Sequence, residues 1–173
     1  MVTLTGPGGV GKTRLSVDVA RVLENDFEHG AWFVALASTA EPVHLANTVA
    51  QALAITPLGG ETPEEAVKRF LASKRALLVL DNFEHLLSAA PTVTELLAAA
   101  PALKVLTTSR EPLRVGAERC FAVSPLAASA ASALFVERCR HHDASFAVTE
   151  ENAGAIRTSV RSWSGSVGTV FGW

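Results

Sequence analysis

Near the start of the chain, Gly6-Pro7-Gly8-Gly9-Val10-Gly11-Lys12-Thr13 restricts the possible fold more than any other stretch. It follows the apolar run Val2-Thr3-Leu4-Thr5 and precedes an amphipathic segment. Strand, G-x-x-x-x-G-K-[ST], then helix is the context in which a glycine loop cradles phosphate. The residue types have physical reasons. Glycines reach backbone conformations closed to other residues and place no side chain between the amides and an anion. The amides then point inward at the start of a helix, whose dipole favours negative charge. In such a loop Lys12 reaches the β- and γ-phosphates and the Thr13 hydroxyl ligates Mg2+. The bland alternative is a glycine-rich turn with an incidental lysine, and the flanking strand and helix patterns weigh against it.

At 173 residues the chain has the size of one domain with a substantial core. Hydrophobic residues make up 49% and charged residues 18%, which excludes a disordered chain. A formal net charge of −2 gives this segment no electrostatic reason to bind nucleic acid. Cys120 and Cys139 lie too far apart for a metal knuckle and fit a reducing compartment. No apolar run approaches the roughly 20 residues that span a bilayer, and the N-terminus lacks a signal-peptide pattern. The expectation is a cytoplasmic protein without membrane contact.

The remaining pattern alternates strands with helices. Leu15, Val19, Val22 and Leu23 recur at helical spacing after the loop. Ala31 to Leu36 is continuously apolar and predicts a fully buried strand. A helix is expected over Pro42 to Leu53, with Leu45, Val49 and Leu53 on one face. Thr62-Pro63-Glu64-Glu65 predicts a helix start with a capping box, followed by a stripe of Val67, Phe70 and Leu71. Ala76 to Leu80 predicts a second buried strand, ending on Asp81. From Glu84 to Ala100 a helical pattern is interrupted at Pro91, which predicts two pieces or a kink. Leu103 to Thr108 and Cys120 to Val123 predict further strands. Ser129 to Arg140 predicts a helix with Leu134, Phe135 and Val136 inward, and Thr149 caps one more. This is α/β organisation: a parallel sheet of about five strands with helices on both faces.

A phosphate loop needs a partner for its metal. Asp81 stands at the C-terminal edge of a strand, where open α/β sheets put their ligands, and would hold Mg2+ directly or through water. A helix-capping acid is the other reading of this position. Because a complete strand lies between loop and acid in sequence, the order suits the P-loop division with an inserted strand better than simple nucleotide kinases. Hydrolysis also needs a group that orients water. Asn82 follows Asp81, and an amide hydrogen-bonds water without taking its proton. Glu84 is the nearest carboxylate alternative, and it equally fits the first turn of a helix. Slow turnover is the expectation. Arg110, past the end of the next strand, could touch a γ-phosphate, or could simply pair with Glu111 at the surface.

Three blocks carry a family resemblance. Leu4-Thr5-Gly6-Pro7-Gly8-Gly9-Val10-Gly11-Lys12-Thr13-Arg14-Leu15, then Leu78-Val79-Leu80-Asp81-Asn82-Phe83-Glu84-His85-Leu86, then Thr108-Ser109-Arg110-Glu111-Pro112-Leu113 resemble the STAND-class signalling ATPases. They are most similar to the NB-ARC-like module of bacterial SARP- and LuxR-type transcriptional regulators. The resemblance covers residues 2 to 156 and implies an AAA-like P-loop NTPase fold with strand order 5-1-4-3-2. It implies ATP or ADP and Mg2+ as ligands and a nucleotide-controlled switch. DNA contacts come from appended domains rather than from this segment, and self-association in the parent protein is possible. By position, Gly6 to Thr13 with Arg14 would hold the nucleotide, Thr13 and Asp81 the metal, and Arg110 would sense the γ-phosphate. Asn82 after Asp81 is common in that family.

Two departures accompany it. The family's segment before the first strand, which helps hold the adenine, has no counterpart before Val2. After Ile156 the family continues into a Gly-Leu-Pro-Leu-Ala-like motif and a helical lid, whereas residues 157–173 here are rich in Ser and Gly. The expectation is a nucleotide-binding domain over 1–156 and an irregular tail over 157–173, from a shifted reading frame or a natural short variant. Two alternatives remain: a small-molecule kinase using the same loop, and a fragment that binds nucleotide poorly. His141-His142-Asp143 lacks further ligands at suitable spacing and reads as a solvated helix end.

Overall fold

The loop-bearing strand lies inside a five-stranded parallel sheet. In a computed structural model, which describes residues 1–163 and their side chains through residue 160, the elements run in this order. β1 (Val2–Thr5), α1 (Lys12–Leu23), β2 (Ala31–Ala35), α2 (Leu45–Ala52) and α3 (Pro63–Leu71) come first. β3 (Leu77–Asp81), α4 (Ala90–Ala99), β4 (Lys104–Ser109), β5 (Arg119–Ala122), α5 (Ala128–His142) and α6 (Glu150–Trp163) complete the described chain. The sheet order is β2-β3-β4-β1-β5 with every pair parallel, which counted from the other edge is the expected 5-1-4-3-2.

The chain divides into two compact units. Met1–Gly6 with Lys12–Ala122 forms one, holding the sheet and α1 through α4; Pro7–Gly11 with the chain from Val123 onward forms the other.

In the first unit the two-residue period of a strand assigns each face. Leu78 and Leu80 join a buried cluster with Leu45 and Val49 of α2, Val67 and Leu71 of α3, and Val93 and Leu96 of α4. Leu77, Val79 and Asp81 therefore project to the opposite face. There α1 packs against β3 and β4 without contributing to that cluster. Helices thus cover both faces, and Asp81 lies on the side of α1. The start of α3 carries the expected capping box: Glu65 N–H donates to Thr62 Oγ1 at 3.2 Å, and Thr62 N–H donates to Glu65 Oε2 at 2.8 Å.

Three sequence expectations require correction here. β2 is an edge strand, and Phe33 is 42% exposed, so its continuous apolarity does not mean burial on both faces. Val22 is 78% exposed; α1 buries Lys12 and Ser16 instead. The small Ser16 can lie in the interior because its hydroxyl donates to Thr13 O at 2.8 Å. Pro91 begins a helix rather than interrupting one. Two 3-10 turns, Phe83–His85 and Leu87–Ala89, precede α4, and the proline occupies its first turn, where no N–H is needed.

In the second unit α5 and α6 pack on each other. Phe135 meets Phe146 edge to face at 6.5 Å. Thr149 and Asn152 cap the start of α6 reciprocally, at 2.8 and 3.3 Å. The helix does not end at Ile156: it runs to Trp163, with Ile156 and Val160, one turn apart, both buried. The irregular backbone expected from Arg157 is therefore helical as far as Trp163, and Ile156 and Val160, four residues apart, lie on one face of it as helical spacing requires. The rest of that expectation, residues 164–173, lies outside the described residues. Among the described residues no helix is long and apolar enough to cross a membrane.

Candidate functional site

Strand register brings the site together. Leu80 pairs with Thr107 across β3 and β4, so Asp81 and Thr108 are the next residues along two adjacent parallel strands. Asp81 Oδ1 accepts a hydrogen bond from Thr108 Oγ1 at 2.6 Å and another from Thr13 Oγ1, in the first turn of α1, at 2.8 Å. Thr108 Oγ1 in turn accepts from Asn82 N–H at 2.8 Å. Sequence reasoning gave Thr108 no role. The available signal was the run of hydroxyls Thr107-Thr108-Ser109 that ends β4, all buried, at the sheet edge that carries the acid.

The loop backbone has the geometry its glycines permit. Gly9 and Gly11 have φ of 75° and 98°, in the left-handed half of conformational space. Lys12 is buried, and its ammonium donates to Gly6 O at 2.8 Å. Burial lowers its pKa below the ordinary lysine value; the Glu84 and Asp81 carboxylates oppose that shift, and the Arg110 guanidinium adds to it. Lys12, Glu84, Arg110 and Asp81 thus share one electrostatic neighbourhood. Arg14 lies on the half-exposed surface of α1, with its Nε 2.9 Å from Asp18 Oδ2.

Past β3 the chain turns sharply. Asn82 adopts φ 68° and ψ 48°, a left-handed conformation that asparagine tolerates better than most residues. Phe83, fully buried, then anchors the 3-10 turn that carries Glu84. Arg110 Nε reaches Glu84 Oε1 at 3.0 Å. The simple surface alternative, Arg110 with Glu111, is not the pairing found: Glu111 lies 3.8 Å from Arg114 instead. Glu84 Oε2 is buried without a hydrogen-bond partner. His85, exposed at the surface, has Nε2 at 3.1 Å from Leu36 O and 2.9 Å from Thr39 O. Facing two acceptors, that nitrogen carries the proton and ties the end of β2 to the turn after β3.

The donor set suits a hard divalent cation. A threonine hydroxyl and a carboxylate oxygen lie 2.8 Å apart, and Mg2+ commonly takes one or two protein oxygens and completes its shell with phosphates and water. Among the described residues no group of three or more His, Cys, Asp or Glu could hold a metal unaided. A metal at Thr13 and Asp81 would thus depend on ligands brought by a phosphate. In the second unit a cavity of about 650 Å3, bordered by Val136, Arg140, Ile156 and Arg157 among others, contains none of these site residues.

A parallel sheet in the order 5-1-4-3-2, with a glycine loop after β1 and an acid at the tip of β3, defines a P-loop NTPase fold. Within that class the chain belongs to the NB-ARC domain family, whose description matches residues 1–136. Its curated relatives include the "Putative HTH-type transcriptional regulator Rv0890c" of Mycobacterium tuberculosis, 39% identical over 158 residues, which cover 90% of this chain and 18% of the relative. "Uncharacterized protein Rv0894" of the same organism is 34% identical over 158 residues, covering 90% of this chain and 40% of the relative. The chain thus spans well under half the length of both. Among solved structures, Cdc6p of Pyrobaculum aerophilum aligns with a TM-score of 0.60 at 15% identity, over 81% of this chain and 43% of that one. The STAND protein PH0952 of Pyrococcus horikoshii, with a tetratricopeptide repeat sensor, aligns with a TM-score of 0.57 at 16% identity, over 96% of this chain and 26% of that one. These two likenesses concern the fold.

Proposed function

We propose that residues 1–156 form an ATP·Mg2+-binding module that works as a nucleotide-dependent switch with slow hydrolysis, inside a longer cytoplasmic transcriptional regulator. The observation that carries this reading is the Thr13–Asp81 hydrogen bond at 2.8 Å, which presents both metal-ligand oxygens beside Lys12. The loop from Gly6 to Thr13 would receive the phosphates on its amides, with Lys12 as counter-charge. Mg2+, when bound, neutralises charge developing on the phosphates. Asp81 and Thr13 would hold it, and Arg110, which acts electrostatically on Lys12, would meet a third phosphate. Asn82, directly after Asp81, offers no base for attacking water. Slow turnover follows from that arrangement. The regulator context rests on the name of the relative above, and DNA contact would fall to domains outside this segment.

The test is calorimetric titration of ATP, ADP and GTP, each with Mg2+, into the wild type and Lys12→Ala. Binding of adenine nucleotides that falls at least tenfold in the variant is the expected result. Equal binding by the two proteins would overturn the reading.

A further inference from the structure

We propose that Glu84 acts as a brake on triphosphate recognition: its carboxylate and an incoming γ-phosphate compete for the Arg110 guanidinium. The pair thereby sets how strongly the module prefers a nucleoside triphosphate to a diphosphate. This rests on the nucleotide-binding reading above and adds a specificity-determining residue to it.

The two partners are held very differently. Glu84 is 16% exposed and Arg110 69% exposed in their side chains, although they meet at 3.0 Å. Glu84 sits in a one-turn 3-10 helix between Phe83 and Leu86, both fully buried, so its carboxylate has little room to move. Arg110 follows β4 on the solvent side and carries a long, flexible side chain. In any exchange of partners the guanidinium moves and the carboxylate stays.

What stays behind makes the exchange costly. Glu84 Oε2 is already buried without a hydrogen-bond partner, and Arg110 is the cation hydrogen-bonded to the other oxygen, Oε1. Taking Arg110 away removes the hydrogen-bonded counter-ion of this largely buried carboxylate and leaves the Lys12 ammonium to offset it, beside a new phosphate of the same sign. Glu84 lies close enough to this locus to act on Lys12 more strongly than Asp81 does. A diphosphate, ending at the β-phosphate and served by the loop and Lys12, does not ask for Arg110. The cost therefore falls on the triphosphate alone and is a matter of selectivity, not of overall affinity.

The test compares dissociation constants for Mg·ATP and Mg·ADP in the wild type, Glu84→Gln, Arg110→Ala and the double variant. Glutamine keeps the shape and removes the charge. Glu84→Gln should raise the preference for ATP by roughly three- to tenfold. Arg110→Ala should lower it, and in the Arg110→Ala background the effect of Glu84→Gln should shrink to less than about twofold. An unchanged or reduced preference in Glu84→Gln would overturn the proposal. An equal gain in both backgrounds would overturn it too, since simple repulsion needs no arginine. Should Glu84→Gln fail to fold, Glu84→Asp, which withdraws the carboxylate from Arg110, should shift the ratio in the same direction. ATP binding that depends on Lys12, with a ratio indifferent to residue 84, defeats this proposal and leaves the nucleotide reading standing. Absence of ATP binding by the wild type defeats both.

Discussion

Thr108 and Asp81 meet at 2.6 Å on neighbouring strands, with the threonine hydroxyl donating to the carboxylate and accepting from Asn82 N–H at 2.8 Å. One side chain thus fixes both the orientation of the acid and the path of the chain beyond it. Thr108→Val keeps the shape and removes both bonds in a buried place. The Asn82 N–H and the Asp81 oxygen each lose a partner, so the variant should lose about 1–3 kcal/mol in urea unfolding. It should also require more Mg2+ to support ATP binding. Thr108→Ser, which keeps the hydroxyl, should retain most of both properties. A Thr108→Val protein with wild-type stability and Mg2+ dependence would show that the hydrogen bonds are dispensable.

Asn82 tests a backbone argument. Its φ of 68° is unfavourable for residues with a bulky or branched Cβ, by roughly 1–2 kcal/mol. Asn82→Gly should therefore be close to neutral in stability, while Asn82→Val should be clearly destabilised. Sequence reasoning weighed this position as an amide that could hydrogen-bond the attacking water but not take its proton. The fold supplies a second reason for asparagine there: the chain must reverse between a buried strand and the buried Phe83. Equal melting temperatures for the glycine and valine variants would refute it.

Legibility followed physical range. The glycine loop, the buried strand ending in Asp81 and the Thr62 capping box are local patterns, and the fold keeps them. Order within the sheet followed from the family resemblance rather than from periodicity. Where long-range arrangement decides, local pattern failed. Ala31 to Leu36 has the composition of a central strand, but only the pairing of β2 with β3 alone makes it an edge. Val22 belongs to an apolar stripe whose angle to the sheet the sequence does not fix. Thr108 was missed because its importance comes from a register with Asp81, 27 residues away in the chain. The protein partner of Arg110 was missed for the same reason. A neighbour in sequence, Glu111, was weighed, while Glu84 on another loop is the group in contact.

Phe83 joins stability to the site. It is fully buried and belongs to the cluster that packs β3 against α2, α3 and α4, and its turn carries Glu84. Phe83→Ala should cost about 3–5 kcal/mol, as expected for emptying an aromatic site in a core. Because the turn is anchored by this side chain, the variant should also lose part of the ATP over ADP preference that Glu84 and Arg110 set. Phe83→Leu, which refills most of the volume, should recover much of the stability. A Phe83→Ala variant as stable as wild type would contradict the packing described here.

Lys12 links pH to both stability and binding, with opposite signs. Burial is the main cause that holds its pKa below the ordinary lysine value in the folded chain. A lowered value means that the unfolded chain binds more protons than the folded one between the two pKa values. Stability from this group should therefore rise as pH climbs through that alkaline window. Nucleotide binding should go the other way. Phosphate charge raises the lysine pKa in the complex, so affinity is constant near neutrality and begins to fall once pH exceeds the lowered value of the free protein. It continues to fall until pH passes the value in the complex. Titrations of Mg·ATP between neutral pH and about pH 10.5 should show this decline in the wild type and a flat profile in Lys12→Ala. Urea unfolding across the same range should show the wild type gaining stability relative to that variant. A wild-type affinity that tracks the Lys12→Ala profile throughout would remove the ammonium from the binding site.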